Sequence, residues 1–363
     1  VLPGPVTAQA QARDLLAQSG ASAIIWGEYD AGRVRANVTT PEGETNWTNP
    51  VDSPAKLPLV INDATPNAAR TLALYALGRL YRQEEDWSAA LRTFEKALAL
   101  RPTDPVLLAS LHFYIGNLLP KVNGLTVAAL SEAIDHFSAA LTYQPTWENL
   151  LYNRGTDYLG RALLSPQEES GDLDAAVADL AAVIARQPQR VDPLINRGIA
   201  LYERRSTGDL AAAQADFTQA IALAPQDRRG YYHRGLAKIR AGAADWADDL
   251  LAAAQLQPQE PSIQNGLCWG YALDGEAAAA LPYCDRAAAG DPTGSSYDGR
   301  AIALSGLGRY AEAAADLQKY LAWVRADRPD LYAKLHGPEA EGWIAALQGG
   351  QDPFTAQVRA DLR

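Results

Sequence analysis

Two cysteines, Cys268 and Cys284, and four histidines, His112, His136, His233 and His336, are the side chains best suited to redox, nucleophilic or metal chemistry. Two cysteines without nearby histidines supply only half of a tetrahedral zinc site, which leaves a disulfide or two buried thiols as their alternatives. The histidines have no Cys, Asp or Glu at the spacing of a recognised metal motif. The chain has no G-x-S-x-G elbow, no phosphate-binding G-x-x-x-x-G-K-[ST] loop and no H-E-x-x-H. Gly306-Leu307-Gly308 reads as a turn, and the adjacent Asp248 and Asp249 read as part of a helix face. The expectation is therefore a non-enzyme with no catalytic, cofactor-binding or metal-binding residues.

The chain has 363 residues, a formal net charge of -11 and a pI near 4.9. An acidic surface repels nucleic acid and anionic membranes, so both are excluded as expected partners. No apolar run is long enough to span a bilayer. The sequence given begins at Val1 and contains no methionine. A removed signal peptide would account for this, and so would a trimmed boundary.

The elements that must position these residues are mostly helical and repetitive. Thr7 to Ser19 has a helical pattern, Ala21 to Tyr29 and Arg33 to Thr40 read as a β-hairpin around Asp30-Ala31-Gly32, and residues 41 to 66 read as a connector. Asn37 and Asn46 begin glycosylation sequons, a short pattern that recurs by chance. From residue 70 onward, Pro102, Pro145, Pro188, Pro225, Pro258 and Pro292 recur at gaps of 43, 43, 37, 33 and 34. Leu74, Leu77, Gly78, Tyr81, Ala90, Phe94, Ala97 and Pro102 follow the spacing W/L-x2-L-G-x2-Y, A-x3-F, P, and so resemble the tetratricopeptide repeat, whose period is about 34 residues. One such hairpin cannot bury its apolar face alone, so copies must stack.

The resemblance implies a mainly α protein. A right-handed α-solenoid of about seven helix hairpins is expected over residues 67 to 326, with a small N-terminal α/β element over 1 to 66 and capping helices over 327 to 363. The longer early periods place extra residues at Leu119 to Thr126, Leu163 to Asp172 and Glu203 to Gly208. These read as enlarged loops forming one ridge.

With the helix-A glycine or its equivalent as position 8, position 7 is Arg154, Arg197, Arg234 and Arg300 in repeats three, four, five and seven. Position 23 of the same repeats is Asp179, Asp216, Asp249 and Asp316. The other repeats carry Leu77 with Thr93, Ile115 with His136, and Leu267 with Tyr283. The two residue types switch together, as ion-paired partners on facing helices would. Cys268 and Cys284 fall at positions 8 and 24 of repeat six, one on each helix, so a disulfide is the expected reading and buried free thiols the alternative. A disulfide implies an oxidising compartment.

In this family helix-A positions 2, 5, 9 and 12 line a concave face. Here they include Tyr75, Arg79, Arg82, Phe113, Asn117, Asn149, Tyr152, Tyr232, Asn265 and Trp269. The lysine and asparagine set with which related repeats clamp a peptide carboxylate is not reproduced. The expected function is a protein-interaction scaffold outside the cytoplasm, either extracellular, at the cell surface or periplasmic. It would be a structural subunit assembling head-to-tail through the N-terminal hairpin and solenoid ends, or else a monomeric adaptor whose groove holds a segment of an envelope protein.

Overall fold

The structure, a computed structural model, describes residues 24–30, 33–40, 43–45, 67–165, 169–290, 294–333 and 335–363. The sequon at Asn46, the helix expected over Thr7 to Ser19 and the connector beyond residue 45 lie outside them. Three short strands precede the helices: β1 (Ile24–Asp30), β2 (Arg33–Thr40) and β3 (Gly43–Thr45). They pair antiparallel in the order β1-β2-β3, with Gly27 opposite Ala36 and Thr39 opposite Glu44.

The rest is helical, and helices follow one another in pairs. They are α1 (Asn67–Gln83), α2 (Trp87–Ala99), α3 (Pro105–Asn123), α4 (Val127–Tyr143), α5 (Glu148–Leu164), α6 (Glu169–Arg186), α7 (Val191–Arg204) and α8 (Asp209–Leu223). Then come α9 (Arg228–Ala241), α10 (Trp246–Leu256), α11 (Pro261–Asp274), α12 (Ala277–Gly290), α13 (Tyr297–Gly306) and α14 (Tyr310–Asp327). Among the described residues seven hairpins, α1/α2 to α13/α14, follow one another along the chain, and α15 (Gly337–Gln348) and α16 (Ala356–Asp361) come after them. The chain divides into two compact units, Val1–Arg154 and Gly155–Arg363.

Local sequence explains where the helices begin and end. Asp86, Asp104 and Thr126 accept hydrogen bonds from the backbone N–H groups of Ala89, Leu107 and Ala129, capping α2, α3 and α4. Gly242 and Gly275 end α9 and α11 in the left-handed conformation. Between paired helices, Ala90, Ala133, Ala176, Ala213, Ala280 and Ala313 are fully buried, so the backbones approach closely. Repeat five departs from this, because Trp246 takes the alanine position. A Cβ on Gly270 of the following repeat would lie 2.4 Å from the Trp246 ring, so a glycine is required there. The indole N–H donates to Asp274 at 2.9 Å.

The enlarged-loop expectation needs correction. α3 continues through Pro120 to Asn123, and α6 is already helical at Glu169, so most of the first two insertions lengthen helices. The third leaves only the short turn from Arg205 to Gly208, both in the left-handed conformation. No ridge of three loops is formed by the described residues.

Candidate interaction groove

In the first unit the expected groove residues divide into two sets. The Tyr75 ring lies 6.0 Å from Phe94 and 5.9 Å from Tyr114, and Phe113 stacks on Trp147 at 4.8 Å. Asn117 donates to the Phe113 carbonyl at 2.6 Å and accepts from Asn153 at 2.7 Å. These three side chains join one helix to the next, which explains their aromatic and amide character. By contrast Arg79, Arg82 and Asn149 are exposed, and the Arg82 guanidinium sits 5.0 Å above the Tyr114 ring. Tyr152 is half-buried.

In the second unit Tyr232 is held near Ser262, and burial pushes its hydroxyl up to about 12. The Asn265 Oδ1 is buried and makes no hydrogen bond. Trp269 is half-buried, and the chain's own C-terminal segment lines a cavity with it. This cavity of about 10 Å³, the space of one water, is lined by Trp269, Asp298 and Ile302 from helix A positions together with Trp343 of α15 and Phe354 and Leu362 of the C-terminal segment. The expected cap therefore does more than seal the last hairpin: it folds back across repeats five to seven.

That return is held by specific contacts. After α15 the chain turns at Gly349 and Gly350, and Asp352 accepts from Ser305 Oγ at 2.7 Å. Phe354 is 1% exposed and packs 5.2 Å from Trp343. Val358 and Leu362 pack on the core that holds Trp246, Leu267 and Leu304. Arg359 donates to the Phe354 carbonyl at 2.6 Å, while Arg363 reaches Asp274 and the Ile239 carbonyl. Asp298, beneath the segment, has its carboxyl pushed up to about 7 by burial.

Away from the groove, Arg197 clasps Asp216 with two bonds of 2.8 and 2.6 Å, Arg234 clasps Asp249 at 2.8 and 2.7 Å, and Arg300 clasps Asp316 at 2.6 and 2.9 Å. Arg154, in the first unit, donates to Ser138 at 3.1 Å, and Asp179 is buried in the second. Cys268 and Cys284 are bonded, with Cα atoms 4.7 Å apart. A second set of clasps was missed by the sequence reading. Arg161 grips Asp172 at 2.7 and 2.6 Å, and Arg204 grips Asp209 at 2.9 and 2.6 Å. Both tie the end of helix A to the start of helix B across an insertion, and their matching places in repeats three and four were the available signal. His112 and His136, which matched no metal motif, face each other with Nδ1 atoms 2.9 Å apart. Among the described residues no three His, Cys, Asp or Glu side chains are grouped to hold a metal.

Residues 73–106 match the family model for the tetratricopeptide repeat. That match covers one helix pair, α1 with α2, and the later hairpins share its fold. The structure resembles that of a tetratricopeptide repeat protein from Parabacteroides merdae, 17% identical, over 74% of this chain and 97% of that one, with a TM-score of 0.58. MamA from Desulfovibrio magneticus is 17% identical over 53% of this chain and 97% of its own, with a TM-score of 0.44. YrrB, described as having an unusual peptide-binding site, is 20% identical over 54% and 91%, also at 0.44. No curated protein matches this chain in sequence. No described helix is long and apolar enough to cross a membrane.

Proposed function

We propose that the protein is a non-enzymatic scaffold that holds a segment of another protein along its helix-A face, outside the cytoplasm. One observation carries this reading: a polypeptide segment, residues 352–363, already lies against helix-A residues of repeats five to seven. In the first unit the equivalent face offers exposed Arg79, Arg82 and Asn149 beside an aromatic surface, which suits a segment with acidic or amide side chains. The bonded cysteines support an oxidising compartment.

The test is binding of the full chain to an array of short peptides. Saturable binding should fall about tenfold, or 1.4 kcal/mol, in an Arg79→Ala, Arg82→Ala variant. Absence of saturable binding, or binding indifferent to those substitutions, overturns the reading. Thiol labelling of the protein in its native cell tests the compartment, and fully reactive cysteines after unfolding would sink export.

The N-terminal sheet favours a second reading, head-to-tail self-assembly. Among the described residues β1 pairs only with β2, leaving an edge able to accept a strand from a neighbouring copy. Electron microscopy at high concentration should then show polymers that a proline within Ile24–Asp30 abolishes. Monomeric particles alone would end this reading.

A further inference from the structure

We propose that residues 352–363 are an intramolecular ligand, occupying the groove of repeats five to seven in competition with a partner segment of the same chemistry. That partner is an amphipathic helical segment with an aromatic residue, aliphatic residues four and eight places later, and arginines directly after each aliphatic residue. The proposal rests on the scaffold reading and specifies what one part of the scaffold takes.

The segment has the character of a ligand rather than of another repeat. It supplies no paired helix, and α16 is a single short helix capped by Thr355. Of its apolar side chains only Phe354 is fully buried, whereas Val358 and Leu362 remain half-buried and most neighbouring residues are exposed. Phe354, Val358 and Leu362 recur at a spacing of four, the pattern of a helix laid in a groove. Arg359 and Arg363 follow them, and Arg363 finds the acidic side chain Asp274 at the end of α11. The floor belongs to the array: Trp269 and Ile302 stand at position 9 of repeats six and seven, Asp298 at position 5 and Ser305 at position 12 of repeat seven. The segment is joined to α15 by Gly349, Gly350 and Gln351. Gly350, with a φ of +73°, closes the last turn of α15 through its own N–H and that of Gln351, so the segment beyond can leave without unwinding α15 or the hairpins.

A segment held by one buried aromatic and a few edge contacts opens far more often than a paired helix. An external segment of matching pattern can then enter, and its apparent affinity is reduced by the fraction of time the groove is already filled.

The experiment uses the full chain and a fluorescent peptide with the sequence of residues 349–363. Amide exchange should be at least tenfold faster for residues 352–363 than for α11. The peptide should bind at least tenfold more tightly to Phe354→Ala, and also to Arg363→Ala should the first variant fold poorly, than to the unaltered chain. Adding Trp269→Ala to either variant should remove that gain. Segment exchange as slow as α11, equal peptide binding by all chains, or a gain that survives Trp269→Ala would each overturn the proposal. If array peptides still bind through Arg79 and Arg82 while this peptide does not bind, the intramolecular ligand falls and the scaffold reading stands.

Discussion

In repeat four, Gly198 of α7 lies under Phe217 of α8, and beside them Arg197 clasps Asp216. In repeat six, Cys268 and Cys284 take the same two inner positions, are bonded to each other, and have Leu267 and Tyr283 where the charged pair would be. A Cβ on Gly198 would come 2.5 Å from the Phe217 ring, so the large residue is admissible only because the facing one is nothing. Repeats one and two repeat this arrangement with Gly78 under Phe94 and Gly116 under Phe137. Repeat six instead divides the space between two residues of middle size. Helices can thus be held at one distance by volume plus an ionic clasp, or by a covalent bond, and each choice exposes the hairpin to a different perturbation.

The largest effect expected is from Phe217→Ala. Phe217 is fully buried, and removing its ring should cost on the order of 4 kcal/mol in urea unfolding of the full chain. Adding Gly198→Ala to that variant should recover part of the loss, since the new Cβ enters the vacated space. Further destabilisation by the second change would break the volume argument. Next is the covalent tie. The bonded residues are separated by 16 positions, so reduction, or Cys268→Ser with Cys284→Ser, should cost about 3 kcal/mol on loop-entropy grounds and show little salt dependence. A loss below about 0.5 kcal/mol would show that packing alone holds repeat six. The smallest of the three is Asp216→Ala, at about 2 kcal/mol. It lies below the 3–5 kcal/mol typical of a fully buried pair because the Arg197 side chain is 25% exposed and can turn toward water. Asp216→Ala should also unfold with a reduced dependence on salt, and an unchanged dependence would argue against the clasp.

These inner positions were legible in the sequence because each hairpin reports on its own two helices. Gly with Phe, Arg with Asp and Cys with Cys each fall at matching positions of helix A and helix B, even where their separation in sequence changes, as from 19 for Arg197 and Asp216 to 15 for Arg234 and Asp249. The path of the C-terminal segment was not legible, since Trp343, Phe354, Val358 and Leu362 give the same apolar pattern whether they seal the last hairpin or cross earlier ones. Groove side chains were only half legible. Position gives the face of the helix, but Tyr75 and Phe113 are drawn into ring contacts with Tyr114 and Trp147 that depend on how consecutive hairpins stack. The insertions misled for another reason. Counting added residues as loop fails because α3 runs on to Asn123 with Pro120 inside it, and α6 already includes Glu169.

The remaining prediction sets repeat two against repeat seven through opposite responses to pH. His112 and His136 share a single proton across 2.9 Å, so one Nδ1 donates and the other accepts. Burial, with His136 alongside, lowers His112 from 6.5 to about 4. The unfolded chain therefore binds this proton first, and stability attributable to the pair falls as pH drops from about 6.5 toward 4. Asp298 behaves in the other sense. Burial raises it from 3.8 to about 7, so the folded chain keeps a proton that the unfolded chain releases, and its contribution is lost as pH rises from about 4 to 7. His112→Phe should flatten the acid side of the stability profile, read as amide exchange in α3 and α4. Asp298→Asn, whose side-chain oxygen can still accept from the Gly299 N–H, should slow exchange in α13 at pH 8 and leave it unchanged at pH 4. If the two variants shift the profile in the same direction, burial is not what governs these two groups.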